Sequence, residues 1–156
     1  GHVLTTVSMA GLLPGAGTYG VSKHAVMALT EALSRDLITR QTKINASVLC
    51  PGFVDTNIDK SERNRPSHLG DERETTNEIG AEIMSAMLRQ GKKPDEVAEI
   101  VLEAIKKNIF YILSHPAWDD SLRSHFDNIL SRKEIVPNSE EEMAKFFSPR
   151  EDGEKY

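Results

Sequence analysis

The chain has 156 residues, with 19 Lys and Arg against 24 Asp and Glu, so its formal net charge is −5. That size suits one domain with a core of its own, and the mild acidic surplus gives no electrostatic ground for binding nucleic acid or a membrane surface. The longest apolar run, residues 109–113, is far short of the roughly 20 residues that a membrane helix needs, and a single cysteine, Cys50, excludes an internal disulfide and a multi-thiolate metal site.

Residues 2–7 are rich in Val and Thr and read as a strand, followed by a glycine-studded loop over 8–17. From Thr18 the pattern changes period: Val21, Ala25, Ala28, Leu29, Ala32, Leu33 and Leu37 recur at helical steps, predicting a helix over 18–40 that buries this apolar face. Residues 44–50 read as a second strand stopped by Pro51-Gly52, so the first fifty residues form a βαβ unit of a parallel sheet. The polar stretch 57–76 predicts a solvated, mobile loop. A helix follows over 76–90 with Ile79, Ile83, Met84, Ala86 and Met87 as its stripe and Gly91 as C-cap. Pro94-Asp95-Glu96 starts another helix, with Val97, Ala98, Ile100, Val101, Ala104 and Ile105 inward. Residues 109–113 predict a third buried strand, 117–132 a last helix, and 136–156 a charged, flexible tail. The fold class expected is α/β, a partial Rossmann-like, doubly wound parallel sheet of about three strands with flanking helices.

Tyr19 and Lys23, four apart, put a phenol and an ammonium on one helical face. Ser8 lies eleven residues upstream at the end of the first strand, and Pro51-Gly52-Phe53-Val54-Asp55-Thr56 follows the second. Open parallel sheets bind ligands at the carboxyl ends of their strands, so these three pieces converge on one crevice.

The string Ser8, Gly11, Tyr19, Lys23 and Pro51-Gly52-x-Val54-x-Thr56 resembles the short-chain dehydrogenase/reductase family of nicotinamide-dependent oxidoreductases, over residues 1 to about 58. The resemblance implies an enzyme interconverting a carbonyl and a secondary alcohol on a small molecule with NAD or NADP. Tyr19 would be the general acid/base. Lys23 would stabilise its phenolate and bridge the nicotinamide ribose hydroxyls, and Ser8 would hydrogen-bond the substrate oxygen. Val54 through its backbone and Thr56 through its hydroxyl would orient the carboxamide, with Pro51 and Gly52 allowing close approach to the ring. Residues 57–90 would be the substrate lid within a unit spanning 1–135. It further implies a homo-oligomer, dimer or tetramer, at full length, while the single cysteine makes a reducing, cytoplasmic location the default expectation. Alternatives are an epimerase or dehydratase of the same superfamily, and a non-catalytic binding or oligomerisation module on the same scaffold.

Other residues read as structural. His24 lies about 100° around the helix from Lys23, and His115 and His125 lack a carboxylate or cysteine at ligand spacing, so no metal site is expected. Cys50 reads as a small buried apolar residue, Met84 and Met87 as core, and 61–65 as a solvated surface. Gly11, Gly15 and Gly17 follow Ser8 and are rejected as the family's pyrophosphate-binding turn. That turn, the residue that chooses between NAD and NADP, and the family's catalytic Asn are absent from residues 1–156. The expectation is therefore that they precede residue 1 in a longer parent and that residues 1–156 alone are inactive.

Overall fold

The computed structural model describes residues 1–66, 68 and 78–135; the expected tail over 136–156 and part of the polar loop, 67 and 69–77, lie outside the described residues. Strands β1 (His2–Thr6), β2 (Asn45–Leu49) and β3 (Tyr111–Ile112) alternate with helices α1 (Gly17–Thr39), α2 (Glu78–Arg89), α3 (Pro94–Lys106) and α4 (Asp119–Leu130). Short 3-10 turns cover Met9–Gly11, Ile58–Asn64 and Pro116–Trp118.

The strands form one parallel sheet in the order β1-β2-β3, with His2 opposite Asn45 through Thr6 opposite Leu49, and Val48 opposite Tyr111. β2 is the centre, and its side chains alternate between two apolar clusters. On one face Val48 and Cys50 join Val7, Met9 and Met27 of α1, with Trp118 and Leu122 packed against them. On the other, Leu49 and Ile112 meet Val97, Val101 and Ala104 of α3. Helices thus cover both faces, the α/β arrangement that the alternation of periods predicts. α3 begins as read, with Pro94 in its first turn and Asp95 and Glu96 beside the positive end of its dipole.

Several expectations are corrected. The apolar stripe read as the buried face of α1 points outward, with Val21 71% and Leu29 70% exposed; the buried residues are Gly20, Met27 and Thr30. The inward side is instead built for close approach. A Cβ at Gly20 would overlap the Gly15 carbonyl, a Cβ at Gly11 would lie 2.9 Å from the Lys23 carbonyl oxygen, and buried Thr30 satisfies its hydroxyl by donating to Val26 O at 2.8 Å. In α2, Ile83 and Met84 are about half exposed, while Leu88 is buried, so Met84 is not core. The third strand is shorter than the apolar run: Val48 N donates to Phe110 O and Cys50 N to Ile112 O, and Pro51 then brings no N–H to extend the ladder. The loop expected over 57–76 contains the 3-10 turn Ile58–Asn64, where the Arg63 guanidinium donates to the Asn57 and Lys60 carbonyls, each at 2.8 Å.

Gly91 likewise has a different role from the C-cap expected. Its φ is not positive, and a Cβ there would overlap the Phe53 carbonyl, so glycine is required for backbone approach between the end of α2 and the chain after β2. Gly91→Ala is expected to lower stability by about 1–3 kcal/mol through this overlap. Thermal denaturation checks it, since a glycine with an ordinary φ and open space around it would be stabilised by the same change.

Candidate active site

The site is assembled at the carboxyl edge of the sheet. Beyond β1, Val7 N donates to Leu49 O at 2.7 Å and Met9 N to Pro51 O at 2.9 Å, so the backbone on either side of Ser8 is bound to the chain leaving β2. The Ser8 hydroxyl accepts from Ala10 N at 3.1 Å, capping the 3-10 turn. A hydroxyl engaged as acceptor keeps its own proton to donate.

The loop then reverses into α1 through three consecutive residues with positive φ, Gly15 (101°), Ala16 (56°) and Gly17 (52°). Gly15 and Gly17 therefore serve the turn that starts the helix. Tyr19 is 43% exposed at the helix start. Lys23 Nζ lies 5.5 Å from the centre of its ring and donates to Thr6 O at 3.3 Å. Phenol, ammonium and serine hydroxyl are thus carried by α1 and the end of β1, with Lys23 bridging the two. His24 turns away, its Nδ1 donating to Gly20 O at 3.0 Å.

The third piece, Pro51 to Thr56, is half-buried and held from two sides. On one side stands His115, whose Nδ1 accepts from Gly52 N at 3.0 Å and whose Nε2 donates to Phe53 O at 2.8 Å, with the Ser114 hydroxyl 2.9 Å from Nδ1. This pairing selects the neutral Nε2–H tautomer. Burial pushes the His115 pKa below the ordinary imidazole value of 6.5; the Phe53 carbonyl opposes that and the nearby Lys92 charge reinforces it. A Cβ at Gly52 would lie 2.9 Å from Trp118 Nε1 and 3.0 Å from His115 Cγ, so Gly52 is small to admit these rings. On the other side Lys92 N donates to Phe53 O at 3.1 Å and Asp55 N to Lys92 O at 2.9 Å, a parallel bridge between Val54 and Lys92. The Asp55 carboxylate accepts from Lys93 Nζ at 2.7 Å and Arg89 Nη1 at 2.8 Å, which hold its pKa below the usual carboxylate range. Asp59 accepts from the Ser85 hydroxyl at 2.8 Å and is lowered first by that bond and then by Arg89.

His115, Gly91, Asp55 and Arg89 were not singled out as supports of this turn by their sequence positions. Only the turn glycine and Pro51 give a local signal, because the partners of the turn lie 34 to 63 residues away. Cys50 is fully buried, and burial pushes its thiol up to about 12, which keeps it protonated and inert. Among the described residues no group of three or more His, Cys, Asp or Glu side chains is placed to hold a metal, and no helix is long and apolar enough to cross a membrane.

The family model for short chain dehydrogenases matches residues 1–67, the stretch that carries Ser8, Tyr19, Lys23 and the Pro51–Thr56 turn. A dehydrogenase/reductase of CLA biosynthesis from Lactiplantibacillus plantarum is 32% identical over 136 residues, covering 83% of this chain and 48% of its own length. The chain belongs to the short-chain dehydrogenase/reductase family. A 1-deoxy-11-beta-hydroxypentalenate dehydrogenase from Streptomyces exfoliatus is 34% identical over 143 residues, 90% of this chain and 45% of that protein. The crystal structure of a family member from Burkholderia phymatum in complex with NAD superposes with a TM-score of 0.82 at 38% identity, covering 88% of this chain and 51% of the other. The chain spans about half the length of the curated relatives it matches.

The lowered pKa of His115 has a sign that can be tested. Below about pH 6.5 the unfolded chain takes up a proton that folded His115 resists, so stability is full above that value and declines as pH falls towards the folded pKa. The Tm advantage of wild type over His115→Asn, which cannot titrate, is expected to shrink between about pH 7.5 and about pH 5. An advantage that is constant or grows with acid would contradict the assignment.

Proposed function

We propose that the protein is an NAD- or NADP-dependent oxidoreductase that interconverts a carbonyl and a secondary alcohol on a small-molecule substrate, and that these residues build the nicotinamide and substrate side of its site. The observation that carries this is the setting of Lys23, whose Nζ lies 5.5 Å from the centre of the Tyr19 ring and donates to Thr6 O at the end of the strand that leads to Ser8. The NAD bound to the Burkholderia phymatum relative supports the cofactor class.

The residues present suit a nicotinamide nucleotide. Among the described residues Lys23 Nζ makes one hydrogen bond, to Thr6 O, and an ammonium has three donors, leaving two for the hydroxyls of a ribose. Lys92 takes the Phe53 carbonyl and the Asp55 amide, so the N–H and C=O of Val54 stay clear of that bridge and suit a carboxamide. Thr56 would add its hydroxyl to the same group, with Pro51 and Gly52 forming the turn behind it. When bound, the nicotinamide supplies or accepts the hydride. Ser8 then holds the substrate oxygen by donating to it, Tyr19 passes the proton to or from that oxygen, and Lys23 stabilises the phenolate form. Residues 57–90 would cover the substrate.

The exposed stripe of Val21 and Leu29 on α1 supports a homo-oligomer at full length, where a second copy covers it. Tyr19→Phe in the full-length protein is expected to lower kcat by about 10²–10⁴-fold while NADH binding, followed by nicotinamide fluorescence, stays within about twofold of wild type. Turnover within about tenfold of wild type would remove Tyr19 from the proton step.

A further inference from the structure

We propose that His115 is a positioning residue for the nicotinamide side of the site: its neutral imidazole acts as a one-residue substitute for a missing strand and sets the peptide groups that flank Val54. The inference rests on the function proposed above. β3 ends at Ile112, whose carbonyl accepts from Cys50 N as the last bond of its ladder with β2. From Pro51 no strand among the described residues lies beside the chain on that side, and Pro51 has no N–H of its own. The next two peptide groups that need partners there, Gly52 N–H and Phe53 C=O, are both met by one side chain, through Nδ1 at 3.0 Å and Nε2 at 2.8 Å.

The consequence reaches Val54 by geometry. Phe53 O accepts from His115 on one side and from Lys92 N on the other, which occupies both of its lone pairs. Asp55 N is bound to Lys92 O. With its neighbours fixed before and after, the Val54 peptide has no remaining freedom to turn. The fit is closed by Trp118, whose ring sits 5.7 Å from that of Phe53 at 57° and beside Gly52. Ser114, fully buried, lies next to Nδ1 and gives the ring a second fixed contact. No residue of the proton-transfer set touches His115 in these contacts, so its effect is through the turn alone.

The test compares three substitutions in the full-length protein by two readouts. Leu at position 115 removes both bonds; Asn places an oxygen near the Nδ1 position and retains the acceptor for Gly52 N–H; Gln places an amide nitrogen near the Nε2 position and retains the donor to Phe53 O. The first readout is hydrogen exchange of the Gly52 amide, made without cofactor. It is expected to be slow in wild type and His115→Asn, and faster in His115→Leu and His115→Gln. The second is affinity for whichever of NADH and NADPH the wild type binds more tightly, written NADH for either below, by nicotinamide fluorescence, with kcat and KM alongside. His115→Leu is expected to weaken NADH binding about tenfold or more, with partial recovery in Asn and Gln, and to leave the KM for substrate at saturating cofactor within about twofold.

Unchanged Gly52 exchange in His115→Leu overturns the clamp. Faster exchange with unchanged NADH affinity overturns the positioning role, as does a loss of affinity that neither Asn nor Gln recovers in part. If His115→Leu does not fold, Asn and Gln carry the test, and wild-type NADH affinity in both overturns the proposal. A wild-type protein that shows the expected exchange yet binds neither NADH nor NADPH overturns the dehydrogenase reading, and leaves the clamp as a purely structural device.

Discussion

The chain leaving β2 loses its strand partner at Pro51, and the geometry of the sheet's carboxyl edge depends on how the next five residues are held without one. Backbone N–H and C=O groups in a half-buried turn are costly to leave unpaired. Here they are met from three directions: by Met9 N on Pro51 O, by His115 on Gly52 and Phe53, and by the Lys92 peptide on Phe53 and Asp55. Each partner belongs to a different part of the chain, so β1, the end of α2 and the segment after β3 are tied to one another through this turn. The ion pairs of Asp55 with Arg89 and Lys93 lie on its exposed side, where such contacts contribute little on their own and chiefly fix register.

Close approach, rather than unusual backbone angles, explains most of the glycines that matter. Gly11 admits the Lys23 backbone, Gly20 the Gly15 carbonyl, Gly52 the His115 and Trp118 rings, and Gly91 the Phe53 carbonyl. Among the described glycines only Gly15 and Gly17 have positive φ, in the turn that launches α1. The distinction bears on function, because the close-packed glycines lie along the elements that carry Ser8, Lys23 and the Pro51–Thr56 turn. A methyl group at any of them presses on a neighbour, and at Gly11, Gly20 and Gly91 the neighbours include backbone, which yields little.

What the sequence makes legible follows from range. Tyr19 and Lys23 are read from a four-residue spacing, Ser8 and the Pro51–Thr56 turn from their places at strand ends, and the parallel sheet from the alternation of strand and helix periods. The support by His115 is invisible at that range, because it lies 63 residues from Gly52, beyond any local spacing or periodicity. The face of α1 is misread for a different reason. Apolar periodicity normally marks the inward side of a helix, but this helix packs closely through Gly20, Met27 and Thr30, and small or polar residues leave no hydrophobic signature.

That misreading also shows why α1 is set as it is. Tyr19, Lys23, Met27 and Thr30 follow one another at steps of four, four and three, so the two site residues and the two larger buried residues share one face of the helix. The rotation that buries Met27 against Val7 and Val48 is the rotation that lays Lys23 Nζ on the Thr6 carbonyl. Turning the helix by the roughly half turn that separates this face from Val21 and its stripe, to bury the stripe instead, would swing phenol and ammonium away from the sheet edge. Core packing and the orientation of Tyr19 and Lys23 are therefore one constraint, and the exposed apolar stripe is its cost.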